Sequence, residues 1–228
     1  MTTDQVNAAQ NTSAMNEDTW RIFRIMAEFV EGFETLSRTG PCITIFGSAR
    51  TPKTHKYYKM TVDMARLAAR EGFGVITGGG PGIMEAANKG ASEEQGHSVG
   101  LNIQLPFEQL PNPFIKTMIN FRHFFIRKVM FLKYTSAVII MPGGYGTLDE
   151  MFETLTLVQT QKAPALPLIL MGKDYWGGLV EWLKNTMLEY SYILDADLSL
   201  MNMTDDPHEA MAIIKKHSEG KGVTPNFV

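Results

Sequence analysis

The sequence predicts a single α/β domain built on a doubly wound, Rossmann-like parallel sheet flanked by helices, and three observations lead there. Short apolar runs alternate with helical patterns along most of the 228 residues. Glycine-bearing turns follow three of those runs, at residues 47–50, 78–82 and 142–147. No internal repeat and no linker-like shift in composition divides the chain. Strands alternating with helices make βαβ units, and right-handed crossovers wind such units into a sheet covered on both faces.

Each element can be justified in order. Residues 1–16 are rich in Thr, Asn, Gln and Ala and lack a cationic or apolar segment, so a disordered leader is expected rather than a signal peptide. Trp20, Phe23, Ile25, Met26, Phe29, Val30 and Phe33 fall at helical spacing and predict an amphipathic helix over 17–36, which Thr39-Gly40-Pro41 ends. The alternation then predicts strand 42–47, helix 55–71, strand 74–78, helix 82–95 and strand 97–104. An irregular stretch over 106–113 precedes a short strand near 115–120. Helix 122–134, strand 136–141, helix 147–161, strand 166–171 and helix 175–189 follow, then a strand near 198–203 and helix 207–218. The domain thus occupies 17–219, and the chain from Gly220 reads as a flexible tail.

Composition excludes several functions. A net charge of -3 without a basic stripe argues against nucleic acid and anionic membrane as partners. No apolar run approaches the ~20 residues that span a bilayer. The one cysteine, Cys42, sits in the apolar strand Cys42-Ile43-Thr44-Ile45-Phe46. It precludes an internal disulfide and indicates a reducing, cytoplasmic location. His55, His97, His123, His208 and His217 lack metal-ligand spacing, so no metal site is expected. Without a G-x-S-x-G elbow, nucleophilic hydrolase chemistry has no carrier.

In parallel sheets ligands bind at the carboxyl ends of the strands, where all three glycine turns fall. The turn Gly78-Gly79-Gly80-Pro81-Gly82 fails the dinucleotide fingerprint, because Ile83 stands where the third glycine belongs, and no Walker-type motif exists. By itself it also reads as a tight turn with Pro81 near a helix start. The turn Gly143-Gly144-Tyr145-Gly146-Thr147 can offer several N–H groups and a hydroxyl to a phosphate at a helix N-terminus. Two readings of Glu150 stand open. It completes a capping box with Thr147, or it is a carboxylate that acts on the ligand. Arg127 and Lys128 lie in the apolar helix Phe121-Arg122-His123-Phe124-Phe125-Ile126-Arg127-Lys128-Val129-Met130-Phe131-Leu132. A buried guanidinium must be paired or hydrogen-bonded, and Glu150 is its natural partner, either at a site or in a structural ion pair.

At these residues the chain resembles the LONELY GUY (LOG) family of Rossmann-like, nucleotide-processing proteins, long mislabelled as lysine decarboxylases. Its signature pairs an Arg-Lys on one helix with P-G-G-x-G-T-x-x-E, here Arg127-Lys128 and Pro142-Gly143-Gly144-Tyr145-Gly146-Thr147-Leu148-Asp149-Glu150. The run Gly78-Gly79-Gly80-Pro81-Gly82-Ile83-Met84-Glu85-Ala86-Ala87-Asn88 is similar to the longer bacterial members. The likeness covers about residues 42–190. It implies hydrolysis of the N-glycosidic bond of a nucleoside 5′-monophosphate, of AMP or cytokinin-riboside type, to free base and ribose 5-phosphate. Arg127 and Glu150 match the catalytic positions, and residues 143–147 the phosphate loop. Lys128, Gly47, Ser48, Gly79, Gly80, Gly82 and Glu85 complete the expected substrate-binding set.

The resemblance further implies that no cofactor is needed and that the protein is a homodimer or higher homo-oligomer; the apolar helix over 121–132 reads either as a contact face for a partner subunit or as a helix enclosed in one subunit. Phe125 stands where shorter, cytokinin-activating members often carry histidine, so the base is not carried over. The same turns would suit a non-catalytic carrier of a nucleotide or of the molybdenum cofactor, as some related proteins are. A decarboxylase would need pyridoxal phosphate on a lysine, and Lys128 is the one lysine beside the expected site.

Overall fold

A computed structural model of the chain describes residues 3–105, 110–219 and 226, and of residues 3–18 the backbone alone. The strands are β1 (Cys42–Phe46), β2 (Gly74–Thr77), β3 (Ser98–Ile103), β4 (Thr117–Phe121), β5 (Thr135–Ile140), β6 (Leu168–Met171) and β7 (Met201–Thr204). They pair in the order β4-β3-β2-β1-β5-β6-β7, and every pair is parallel. The chain builds outward from β1 to β4, then returns to the other side of β1 to add β5. The doubly wound topology is therefore as expected, with its switch point between β1 and β5, where Phe46 lies opposite Ile140.

The helices are α1 (Thr3–Leu36), α2 (Lys56–Arg70), α3 (Ile83–Glu93), α4 (Phe124–Lys133), α5 (Tyr145–Gln159), α6 (Lys173–Trp182), α7 (Asp195–Leu198) and α8 (Pro207–Ser218). Period-two alternation along the strands feeds two cores. Cys42, Ile76, Leu101, Val138 and Ile140 pack on one face with Leu36 of α1, Met130 and Phe131 of α4 and Met151 of α5. Ile43, Ile45, Val75, Ala137 and Ile139 pack on the other with residues of α2, α3 and α8. Strands covered on both faces read as continuous apolar runs, which is why they stood out. Cys42 is fully buried and burial pushes its thiol up, as befits a structural position.

Several boundaries differ from expectation. The first helix starts at Thr3 rather than near Glu17, since neither Gly nor Pro interrupts residues 3–31. Its inner face carries Ile25, Phe29 and Phe33, and Gly32 lets it approach α4 closely, because a Cβ there would lie 2.8 Å from Met130 Sδ. Helix α4 is apolar but only partly buried within the chain. Ile126, Met130, Phe131 and Leu132 are buried, whereas Phe124 and Phe125 are exposed. The expected helix 175–189 begins two residues earlier, after Gly172 at φ +114°, and widens beyond Trp182 into a π-helical stretch over Leu183–Leu188. The last strand is shifted because residues 195–198 form α7, where Asp197 accepts from the Leu194 N–H at 2.8 Å.

The flexible-tail expectation falls outside the described residues except at Asn226. That side chain donates to the carbonyls of Leu132 and Thr135, and its N–H to that of Lys133 at 2.7 Å. The irregular stretch likewise lies partly outside, at residues 106–109. No helix among the described residues is long and apolar enough to cross a membrane.

The closest helix packing is between α2 and α3 at Gly90, where a Cβ would lie 2.3 Å from the Val62 carbonyl oxygen and 2.9 Å from the Ala65 Cβ. Backbone cannot yield as a side-chain tip can, so Gly90→Ala should destabilise the fold by about 1–3 kcal/mol. Urea unfolding checks this: the midpoint should fall at constant slope, and an unchanged midpoint would refute the close contact.

Candidate functional site

Backbone hydrogen bonds stitch the turns after β1, β2 and β5 together. The Ser48 N–H donates to the Pro142 carbonyl at 3.0 Å, Ile83 N–H to Ser48 O at 3.0 Å, and Met141 N–H to Phe46 O at 2.8 Å. Glycine is required where the chains crowd. A Cβ on Gly47 would meet Ile83 Cγ2 at 2.5 Å, and one on Gly82, at φ +67°, would meet the Ser48 carbonyl oxygen at 2.4 Å. A Cβ on Gly143 would lie 2.1 Å from Thr147 Oγ1. A cleft of about 730 Å³ opens above these turns at the carboxyl edge of the sheet, within the range of small-molecule sites.

Helix α5 starts at one wall of this cleft. Its N-cap is Gly144, with no side-chain cap, and the N–H groups of Thr147 and Leu148 both donate to Gly144 O at 3.0 Å. Thr147 is thus inside the first turn and Glu150 lies well beyond it. The capping-box reading of Glu150 is thereby corrected: a glycine-rich start moves the cap three residues upstream. Tyr145 and Gly146 open the helix, and a helix leaves its first N–H groups without internal partners, which suits an anion. The Tyr145 side chain is turned out to solvent, 93% exposed.

Arg127 of α4 forms the opposite wall. Its Nε donates to the Leu101 carbonyl at 2.8 Å and an Nη to the Gly78 carbonyl at 3.4 Å, and the guanidinium lies 5.0 Å from the Phe131 ring centroid. It makes no ion pair with Glu150, contrary to the pairing expected from sequence. Main-chain carbonyls satisfy the guanidinium instead. Burial pulls Arg127 down to about 10 against a smaller opposing pull from the Glu150 charge.

Glu150 lines the cleft in the second turn of α5. Burial raises it to about 7, the Glu153 and Asp149 charges push the same way, and Lys128 and Arg127 oppose. Lys128 sits among three carboxylates, 2.6 Å from Glu153, 2.8 Å from Asp149 and 3.6 Å from Glu150. Burial disfavours the Lys128 ammonium, but hydrogen bonds to Asp149 and Glu153 and the neighbouring charges outweigh it, so its pKa stands above the ordinary value. A carboxyl that titrates near neutrality, facing a cleft, is what acid–base or electrostatic chemistry requires.

The structure brings Gly47, Ser48, Arg127, Gly143, Gly144, Tyr145, Gly146, Thr147 and Glu150 together around the cleft. The other expected residues do not line it. Gly79 and Gly80 present their carbonyls to the Asn112 side chain, at 3.2 and 3.0 Å, and Gly82 closes on Ser48. Glu85 points to the α2 side, where it pairs with Lys53 at 2.6 Å and accepts from the Tyr58 hydroxyl at 3.1 Å. Lys128 touches the site through Glu150. Sequence reasoning missed Tyr175, whose hydroxyl donates to Gly143 O at 2.7 Å from within the cleft wall. It also missed Arg50, legible as the cation closing the first glycine turn, and the apolar wall of Met84, Phe124 and Leu105. Among the described residues no group of three or more His, Cys, Asp or Glu side chains is placed to hold a metal ion.

Comparison with known proteins agrees with this architecture. The family described as "Possible lysine decarboxylase" matches residues 84–214, more than half of the chain. A pyrimidine/purine nucleotide 5′-monophosphate nucleosidase of Escherichia coli K12 is 28% identical over 183 residues, covering 71% of this chain and 39% of its own length. The chain therefore spans about two fifths of that relative. A cytokinin riboside 5′-monophosphate phosphoribohydrolase of Rhodococcoides fascians is 26% identical over 181 residues, covering 78% of this chain and 90% of its own. Among solved structures, the molybdenum cofactor carrier protein of Chlamydomonas reinhardtii has a TM-score of 0.57 at 21% identity, covering 79% of this chain and 99% of that one. That likeness establishes the fold.

The Glu150 shift has a consequence for stability. Its folded value, about 7, lies above the unfolded 4.5, so the fold prefers the neutral acid. That preference is without cost below pH 4.5, where both states are protonated, destabilises the fold progressively as pH rises from 4.5 to about 7, and is at full cost above that. Glu150→Gln should therefore stabilise the protein above pH 7 by on the order of 1–3 kcal/mol and leave it unchanged near pH 4. Thermal unfolding across pH tests this, and a pH-independent difference would contradict it.

Proposed function

The chain belongs to the LOG family, the group described as "Possible lysine decarboxylase", and from that premise we propose that it hydrolyses the N-glycosidic bond of a nucleoside 5′-monophosphate. Water and the nucleotide give free base and ribose 5-phosphate. The observation that carries this reading is Glu150, a buried carboxyl raised to about 7 in the same cleft as the open N-terminus of α5. The nucleosidase and phosphoribohydrolase names of the relatives support the same class of reaction.

In this reading the 5′-phosphate binds to the N–H groups at the start of α5 and to Ser48, with Arg50 adding charge. The base lies against Ile103, Leu105, Phe124 and Met84 on the apolar side. As the C1′–N bond breaks, its electron pair leaves with the base and positive charge builds on the ribose ring. The Glu150 carboxylate stabilises that charge and takes a proton from the water that attacks C1′, and the departing base gains a proton in turn, so that the carboxylate is restored. Arg127, anchored to two carbonyls, presents its remaining N–H groups to the substrate. Phosphate binding remote from the breaking bond holds the sugar over the carboxylate.

A lysine decarboxylase does not fit this cleft. A Schiff base needs a neutral amine, and the carboxylates around Lys128 hold it protonated. A molybdenum-cofactor or nucleotide carrier would use the same turns but has no need of a carboxyl tuned to neutrality. The preferred substrate is of AMP or cytokinin-riboside-monophosphate type, the protein is cytoplasmic, and neither nucleic acid nor membrane is a partner. Ribose 5-phosphate release from a panel of nucleoside monophosphates tests the proposal. Glu150→Gln should lose at least about 10²-fold in kcat, and kcat/KM should rise with pH to a plateau above about 7, where Glu150 is ionised. Tight nucleotide binding with no turnover would favour the carrier.

We further infer a homo-oligomer. Trp20, Phe23, Met26 and Val30 form an outer apolar stripe on α1, each more than half exposed, and Phe124 and Phe125 are exposed on α4, against which α1 packs. Patches of this kind mark association surfaces. Sedimentation should give a mass at least twice the 25.5 kDa chain, and Trp20→Ser/Phe23→Ser should shift it toward the monomer. A monomeric parent protein at micromolar concentration would rule this out.

A further inference from the structure

Glu28 lies on α1, far from the cleft in sequence and outside the segment that matches the family. It is nevertheless one of the few buried carboxylates, with 9% of the residue exposed. Its two oxygens are fully engaged. Oε2 accepts from the Arg122 N–H at 3.1 Å and the His123 N–H at 3.3 Å, and Oε1 lies 3.0 Å from His123 Nδ1. Those residues lead into α4, whose N-cap, His123, makes no side-chain capping bond of its own. The carboxylate of one helix thus fixes the entry of another, and its charge complements the N-terminal end of that helix dipole.

The next turn of α4 carries Arg127, whose N–H donates to His123 O at 3.3 Å. With α4 entering where Glu28 meets it, the guanidinium reaches Leu101 O and Gly78 O. The rest of the described α1–α4 contact is mainly apolar. Gly32 packs on Met130, and the Tyr134 hydroxyl donates to Phe33 O at the far end, at 3.3 Å. The Glu28 hydrogen bonds hold α4 at the end nearest the cleft. Apolar contacts are non-directional, whereas paired N–H···carboxylate bonds are geometrically specific.

We propose that Glu28 is a positioning residue: by clamping the Arg122 and His123 N–H groups it sets the place of Arg127 in the cleft. The phosphate loop stands on β5 and α5 and does not depend on this clamp. Loss of Glu28 should therefore fall on kcat rather than on KM. The turnover arm of the test rests on the hydrolase reading; a chemical arm does not.

Glu28→Ala, Glu28→Asp and Glu28→Gln are made in the full chain. Phenylglyoxal, which modifies guanidinium groups, is applied to each protein and every arginine is followed by peptide mass spectrometry. Arg127 should react about tenfold faster in Glu28→Ala, with Arg50 unchanged as an internal control. Glu28→Gln, whose amide oxygen still accepts both N–H groups, should restore most of the protection. Glu28→Asp, one methylene shorter, should fall between them and serves in place of Glu28→Ala should that variant not fold. In turnover, Glu28→Ala should lose about 10–100-fold in kcat, the scale of a misplaced catalytic group, with KM moved less than about threefold. Unchanged Arg127 reactivity in both Glu28→Ala and Glu28→Asp would overturn the proposal, as would equal acceleration at all arginines, which signals general loosening. A parent protein without turnover would sink the hydrolase reading alone, and the phenylglyoxal arm would still decide the role of Glu28.

Discussion

A guanidinium bonded to main-chain carbonyls, instead of to a carboxylate, is the interaction on which the rest of the cleft depends. Arg127 ties α4 to β3 through Leu101 O and to the turn after β2 through Gly78 O. Had it paired directly with Glu150, the carboxyl would have been driven toward the ordinary range or below, as close ion pairs do. Carbonyls satisfy the guanidinium while leaving Glu150 dominated by burial, raised to about 7. The arrangement also explains Gly78: a Cβ there would lie 2.4 Å from an Arg127 Nη, so any side chain would evict the group.

Lys128 supplies the counterweight. Without a nearby cation, three carboxylates on consecutive turns of α5 would repel one another. Its contacts to Asp149 and Glu153 are short and the one to Glu150 is longer, so most of its charge is spent on the outer two. The single helix α5 carries both the open N–H groups at its start and Glu150. Their separation is then a property of helix geometry, from Gly146 to Glu150 four residues or about 6 Å of rise, and cannot drift independently of the glycine turn.

The sheet and its turns were legible because parallel strands buried on both faces leave an unmistakable apolar rhythm, and because glycine clusters mark strand ends. What could not be read were contacts whose partners carry no sequence signature. Backbone carbonyls held Arg127, and nothing in the sequence distinguishes Leu101 O from any other. Glu85 sits within a glycine-rich motif, yet three residues of helix beyond Gly82 carry it around to Lys53 and Tyr58. Thr147 and Glu150 matched a capping pattern, but a glycine cap has no side chain to announce it. Tyr175 and Glu28 reach the site region from 32 and 94 positions away, distances over which local patterns are silent.

Helix α4 is met from both directions of the chain: Glu28 holds its entry, and Asn226 receives its final carbonyls and that of Thr135. This has a bearing on biosynthesis. A nascent polypeptide halted between residues 205 and 225 already contains all seven strands, the three glycine turns and Glu150, yet lacks the Asn226 contacts at the end of α4. The last turn of α4 is thus closed later in synthesis than the cleft it borders, and until Asn226 emerges its final carbonyls must bond to water.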